Sequence, residues 1–167
     1  KYRSLPHPPG KELVTGESLP YLGRHYRIEL VEGDGAIRFN QKFLVPRLLA
    51  KKSPAFRDWF VACAEEKILP RVMLHAKNLG VAYKQAKIGD GKYRWGSCTP
   101  SDNVIFNWRL IKAPMFVIDY VIVHELAHLI EQNHTPRFWN IVKAQAPSME
   151  KAKMWLQKNG ALLEQEL

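Results

Sequence analysis

One stretch constrains this chain more than any other: DYVIVHELAHLIEQNHTPRFW, residues 119–139. Its apolar residues recur as they do in a buried helix, yet it carries three histidines and two glutamates. His124 and His128 stand four residues apart, so on a helix their imidazoles share one face, one turn apart. Two neutral imidazoles placed that way can bind one zinc ion. Glu125 follows the first of them and projects beside the ion, where a carboxylate can take a proton from an attacking water. This is the His-Glu-x-x-His arrangement of zinc peptidases. The competing interpretation is a core helix whose histidines are merely hydrogen-bonded. That would leave Glu125 buried at high cost unless it found a partner.

A catalytic zinc takes a third protein ligand and keeps one position open. Asp119, Glu131, His134 and Glu150 are the candidates. Asp119 lies five residues before His124 and points off its face. Glu131 lies three residues after His128, but the helix direction carries it away from the metal. His134 lies six residues beyond His128, enough for a helix end, a reversal and a return. Such a reversal needs a left-handed conformation, which Asn133 tolerates. Thr135-Pro136 is the start signal of the next helix. His134 is therefore the expected third ligand, with Glu150, on a following helix, as the alternative. The spacing from His124 to His134 matches the metzincin motif, but Glu131 occupies the position where metzincins need glycine.

The rest of the chain is expected to frame this helix. Residues 1–15 read as an extended lead-in and 17–45 as a small antiparallel meander turning at Gly33-Asp34-Gly35. Ser53-Pro54 opens a long helix that Pro70 should kink or break and that Gly80 should end. Three short strands follow, in VAYKQAKI, YRWGSC and NVIFNW, with turns at 89–91 and 99–103. Pro114 starts the histidine helix, Thr135-Pro136 another, and Ser148 caps a last one.

Composition narrows the function classes. The 167 residues suffice to bury a core without disulfides, and the two cysteines, Cys63 and Cys98, form no Cys-x-x-Cys pattern. A reducing, cytoplasmic setting fits that usage. The longest apolar run, MFVIDYVIV, is too short to span a bilayer and contains Asp119, so no membrane partner is expected. The net charge of +9 is uneven. Residues 1–113 carry 20 Lys and Arg against 10 Asp and Glu, and residues 114–167 carry 5 against 6. The basic part could attract a nucleotide or nucleic acid, although its cations are scattered as on an ordinary solvated surface.

Taken together, RWGSC (94–98), NWRLIKAP (107–114), DYVIVHELAHL (119–129) and NHTPRFW (133–139) resemble the YgjP-like metallopeptidases, small bacterial zincins related to the SprT-like and WLM groups. GESLPYLGRHYRI (16–28) resembles the N-terminal strands of that family. The resemblance implies an α+β minimal zincin fold. A small twisted antiparallel or mixed sheet, its edge strand bordering the cleft, would pack on the active-site helix, with the N-terminal meander added. Residues 1–45 would form the lead-in and meander, and 46–167 the zincin-like metallohydrolase domain, as one compact unit. The resemblance also implies zinc on His124, His128 and His134, with Glu125 as general base.

Within RWGSC, Arg94, Trp95 and Ser97 are candidates to line a substrate cleft, Arg94 by binding a carboxylate or phosphate. Gly96 would allow a close backbone approach. Cys98 is a conceivable fourth zinc ligand. Asn107 and Trp108 read as structural, and His7, His25 and His75 as ordinary. Arg94 or Tyr120 could stabilise an oxyanion. The leading expectation is a zinc peptidase acting on peptide or protein substrates. The alternatives are a UTP pyrophosphatase, an activity described for some members of the family, and a nucleic-acid-associated protease like the SprT relatives. No phosphate-cradling glycine loop or magnesium-binding carboxylate cluster supports the nucleotide alternative.

Overall fold

The computed structural model describes residues 17–33, 35–49, 53–91 and 94–163. The expected lead-in at 1–15 and the tip of the 33–35 turn lie outside them. The order of elements is β1 (Ser18–Tyr21), β2 (Arg24–Val31), β3 (Arg38–Phe39), β4 (Phe43–Pro46), α1 (Ser53–Leu79), β5 (Gln85–Gly89), β6 (Gly96–Cys98), β7 (Asn103–Asn107), α2 (Met115–Ala127), α3 (Pro136–Gln145) and α4 (Met149–Leu163). A 3₁₀ segment, Trp108–Lys112, joins β7 to α2. This is an α+β fold with two small sheets. One hydrophobic cluster runs from Leu19 in β1 to Ala152 in α4.

The first sheet has the order β1-β2-β4-β3 and is mixed, not the antiparallel meander expected from the sequence. β1 and β2 form a hairpin, but β4 lies parallel to β2, with Ile28 opposite Phe43. The reason is burial. Phe43 and Val45 are fully buried and claim a central strand, while β3, only two residues long, is left at the edge. Tyr21 and Tyr26 each pack edge-to-face on Phe39 and Phe43, and Phe43 meets Trp59 of α1 edge-on at 5.2 Å.

The tip of the first hairpin bears directly on the histidine helix. Leu22 and Gly23 both have positive φ (51° and 87°), the two-residue turn that suits strand twist. Their N–H groups donate to the carbonyls of Ile111 and Lys112 at 2.9 and 2.8 Å. A Cβ on Gly23 would stand 2.8 Å from Pro114, the residue capping α2. The hairpin thus fixes where α2 begins.

α1 buries Phe56, Phe60, Ala64, Ile68, Val72 and Ala76, a stripe spaced by four. The helix runs through Pro70 without breaking. Pro70 and Glu66 are both exposed, so the Glu66 carbonyl that loses its usual donor can be hydrated. The helix ends where the sequence indicates. Gly80 has φ 71°, its N–H donates to Lys77, and the Val81 N–H donates to Ala76, closing the turn in the Schellman manner.

The second sheet has the order β5-β7-β6, with β5 parallel and β6 antiparallel to the central β7. The turn at 99–103 is built on Asp102 at φ 63° and on Thr99, which accepts the Asp102 N–H at 3.0 Å. Among the described residues β6 is an edge strand, paired only with β7. Both cysteines are free thiols. No helix among the described residues is long and apolar enough to cross a membrane.

Candidate metal centre

α2 is apolar around most of its circumference. Val117, Ile118, Ile122, Val123, Leu126 and Ala127 are all fully buried, so the helix is clamped on nearly every side. His124 and Glu125 sit in its last turn and His128 caps it. There the helix tightens, and the N–H groups of His128, Leu129 and Ile130 donate three residues back, at 3.2, 3.0 and 3.0 Å. The chain then reverses through a bond from the Thr135 N–H to the Asn133 carbonyl, 2.8 Å, which spans His134. A left-handed Asn133 is not found: among the described residues the non-glycine residues with positive φ are Leu22, Gln41 and Asp102. The tightened helix end and the three-residue turn make the reversal without it. Thr135 caps α3 as expected, its hydroxyl accepting the Phe138 N–H at 3.3 Å, with Pro136 in the first turn.

The result is that His124, His128 and His134 each present a ring nitrogen, the three atoms lying within 4.8 Å of one another. The Nε2 atoms of His128 and His134 are 3.1 Å apart. Two nitrogens bound to one tetrahedral zinc at its usual bond lengths stand about 3.3 Å apart, so this pair fits a shared ion. His128 Nδ1 lies 3.3 Å from the Glu131 carbonyl, and donation there leaves Nε2 as the lone-pair nitrogen facing the centre. The His134 pKa is lowered by slight desolvation and by the charges of His124 and His128, which favours the neutral, ligating form. All three donors are imidazoles, a set that suits zinc, copper, iron or nickel.

The other candidates fall outside this group. Asp119 is held by Arg71 at 2.5 and 2.8 Å and by His75 at 3.0 Å, and His75 in turn meets Gln145 at 3.1 Å. That network ties α2 to α1 and α3. Glu131 pairs with Arg137 at 3.4 Å. Glu150 and Cys98 are not among the clustered donors. Burial, then the charges of Glu125 and Asp102, push the Cys98 thiol up, away from the thiolate a metal requires.

Phe138 is the residue that the sequence did not flag. It is fully buried, and its ring lies 5.1, 4.5 and 4.9 Å from those of His124, His128 and His134. It forms the floor beneath all three. Trp139 stacks on His134 at 5.5 Å and carries the Lys153 ammonium 4.4 Å over its ring. The only signal in the sequence is phase: once Thr135 caps α3, its third and fourth following residues turn back toward α2.

Beside the three histidines opens a cleft of about 370 Å³, lined by Arg94, Trp95, Gly96, Ser97 and Cys98 on one side and by Tyr120, Val121, His124, Glu125 and Leu156 on the other. Arg94, Trp95 and Ser97 all line this cleft. Gly96 explains the closeness of the two walls. A Cβ there would stand 2.9 Å from Glu125 Cγ, 3.2 Å from Phe106 and 3.3 Å from Val121. Glu125 is 8% exposed, with Oε2 3.2 Å from His124 Nδ1. The Tyr120 phenol is pushed up to about 12 by burial, then by the charges of Glu125 and Glu150, so it keeps its proton. Its ring stands 5.9 Å from His124. Asn107 sets the strand at the cleft: Nδ2 donates to the carbonyls of Gly91 and Arg94 at 2.8 and 3.0 Å, and its N–H donates to Trp95 at 2.9 Å.

A mixed α+β frame, a helix carrying two histidines and a third returned by a short loop give a fold similar to that of the minimal zincin metallopeptidases. The fold is similar to the metallopeptidase zymogen abylysin of Pyrococcus abyssi, with a TM-score of 0.50 and 18% identity over 60% of this chain and 98% of that one. It is similar also to the zymogen jannalysin of Methanocaldococcus jannaschii, with a TM-score of 0.50 and 17% identity over 55% and 95%. The comparison with curated proteins gives no match. The chain belongs to the YgjP-like family, whose metallopeptidase-domain model matches residues 1–159.

Proposed function

We propose that this protein is a zinc-dependent peptidase in which His124, His128 and His134 hold the ion and Glu125 is the general base. One observation carries the reading: the Glu125 carboxylate lies beside the three-histidine group, in a cleft bordered by β6, which among the described residues is an edge strand. When bound, zinc supplies Lewis-acid polarisation of the scissile carbonyl and makes a water more acidic. The protein's own residues do the rest. β6 accepts the substrate backbone as an added strand. Glu125, packed between β6 and α2, takes the proton of the attacking water and returns it to the leaving amine. Tyr120, which lines the cleft and keeps its proton, donates to the developing oxyanion, and exposed Arg94 lines the same cleft.

A nucleotide fits this cleft less well than a peptide. Among the described residues lining it, Arg94 is the one cation, and the Glu125 carboxylate would repel a triphosphate. The test is Glu125→Gln. It should keep its zinc and lose hydrolysis of peptides by about 10²–10⁴-fold. A variant with full activity would overturn the assignment. UTP turnover abolished by His128→Ala, with no peptide cleaved, would replace it by the nucleotide reading.

A further inference from the structure

Residues 1–113 carry 20 Lys and Arg against 10 Asp and Glu, yet this basic part of the chain holds a groove of the opposite character. The groove, of about 570 Å³, lies between α1 and the start of β5. Glu65, Leu69 and Met73, spaced by four, form one row of its α1 wall, and Glu66 and Pro70 form the row beside it. Tyr83 and the first residues of β5 form the facing wall. Among the described residues the lining carries two carboxylates against the ammonium of Lys84.

The chemistry of the groove points to a polypeptide with a cationic side chain. Glu65 and Glu66 are exposed, and neither pairs with a cation among the described residues. Pro70 has no N–H, so the Glu66 carbonyl, four residues back, is open to an outside donor. Two carboxylates and a carbonyl suit the N–H donors of a guanidinium and repel a phosphate. Met73 is 66% exposed and, with Leu69 and the Tyr83 ring, covers the stem of such a side chain and an apolar neighbour. Among the described residues β5 is an edge strand paired only with β7, so its outer side can take the backbone of an added strand. Arg71, next to Pro70, is bound to Asp119 of α2, which holds this turn of α1 in place.

We propose that the groove between α1 and β5 is an exosite that docks an extended segment of the protein substrate, one with an arginine or lysine next to an apolar residue. β5 and β6 are the two edges of one three-stranded sheet, about 10 Å apart, so a single substrate chain can occupy both. A second copy of this chain is disfavoured as occupant by its like net charge of +9. The docking itself needs no metal, and only its effect on cleavage rests on the peptidase reading.

Binding is followed by NMR on the full chain without added metal. The probes are the hexapeptide acetyl-Thr-Val-Arg-Leu-Val-Thr-amide and the same peptide with citrulline for arginine, which keeps the shape and loses the charge. The arginine peptide should shift the Met73 methyl and the Ala86 amide and bind about tenfold or more tighter than the citrulline peptide. Glu65→Gln combined with Glu66→Gln should erase that difference while leaving the Tm near that of the parent. Pro70→Ala, which restores an N–H to the Glu66 carbonyl, should reduce it. Equal affinity of the two peptides, or shifts confined to other residues, would overturn the exosite. So would a Met73 signal that moves with protein concentration alone, the mark of a second copy in the groove. In the zinc-loaded chain, a longer substrate carrying the arginine segment should show a lower KM than its citrulline form, with kcat unchanged, and the double variant should remove the difference. Arginine-selective docking that leaves KM unaffected would overturn the exosite role. Docking without cleavage of any peptide would overturn the peptidase reading and leave the docking site standing.

Discussion

Replacing Gly96 with alanine adds one methyl group at the point where β6 lies against the side chain of Glu125. The new Cβ would stand 2.9 Å from Glu125 Cγ, with Phe106 at 3.2 Å and Val121 at 3.3 Å behind it. Carbon atoms rest at 3.5–4.0 Å, so relief needs a displacement of about 0.6–1 Å. Val121 and Phe106 are core residues that cannot yield. The displacement therefore falls on Glu125 or on β6. Overpacking of this kind costs about 1–3 kcal/mol of stability. A misplacement near 1 Å of a catalytic group costs about 10²-fold in rate, or about 2.7 kcal/mol of activation free energy. None of the three atoms nearest the new Cβ belongs to a histidine, so zinc content should stay as in the parent protein. Thermal denaturation, metal analysis and peptide kcat/KM on the same preparation separate the three effects. Parent-level activity in a folded Gly96→Ala variant would show that the Glu125 position seen here is not the working one.

Other outcomes follow from the contacts around the centre. Phe138→Ala removes the floor under three imidazoles and should cost about 3–5 kcal/mol of stability; Phe138→Leu, if folded, should still bind zinc more weakly than the parent in a chelator competition. At Asp119, burial opposes ionisation, but hydrogen bonds from His75 and Arg71 and their charges hold the carboxyl below its usual range. Since the folded-state value lies below the unfolded one, this stability is present above the unfolded value and is lost as pH falls through the folded one. Asp119→Asn should therefore cost about 1–3 kcal/mol near neutrality and flatten the acid limb of a stability-pH profile. Asn107→Ala frees the carbonyls of Gly91 and Arg94 and should raise KM for peptides more than it lowers kcat, read from steady-state kinetics.

The sequence revealed the three-histidine cluster more fully than the frame around it. His124 and His128 follow from helical spacing alone, and His134 from the length of a reversal plus the Thr135 cap, because these are local features. Two local expectations gave way. Asn133 is not left-handed, because the tightened helix end and a three-residue turn make the reversal, and Pro70 does not break α1, because its side of the helix is wet. What spacing could not show is non-local. The parallel pairing of β4 with β2 depends on which strand wins the buried position. Phe138 looks like any core aromatic until α3 is docked. Asp119, a candidate ligand by type, belongs to Arg71 and His75, which lie 48 and 44 residues away in sequence.

The most direct test of the account is X-ray absorption at the zinc edge of the metal-loaded protein. It should show three imidazole ligands with nitrogen at about 2.0–2.1 Å, one fewer in His134→Ala, and no change in Glu125→Gln. A sulfur at about 2.3 Å, placing Cys98 on the metal, or an unchanged ligand shell in His134→Ala, would contradict it.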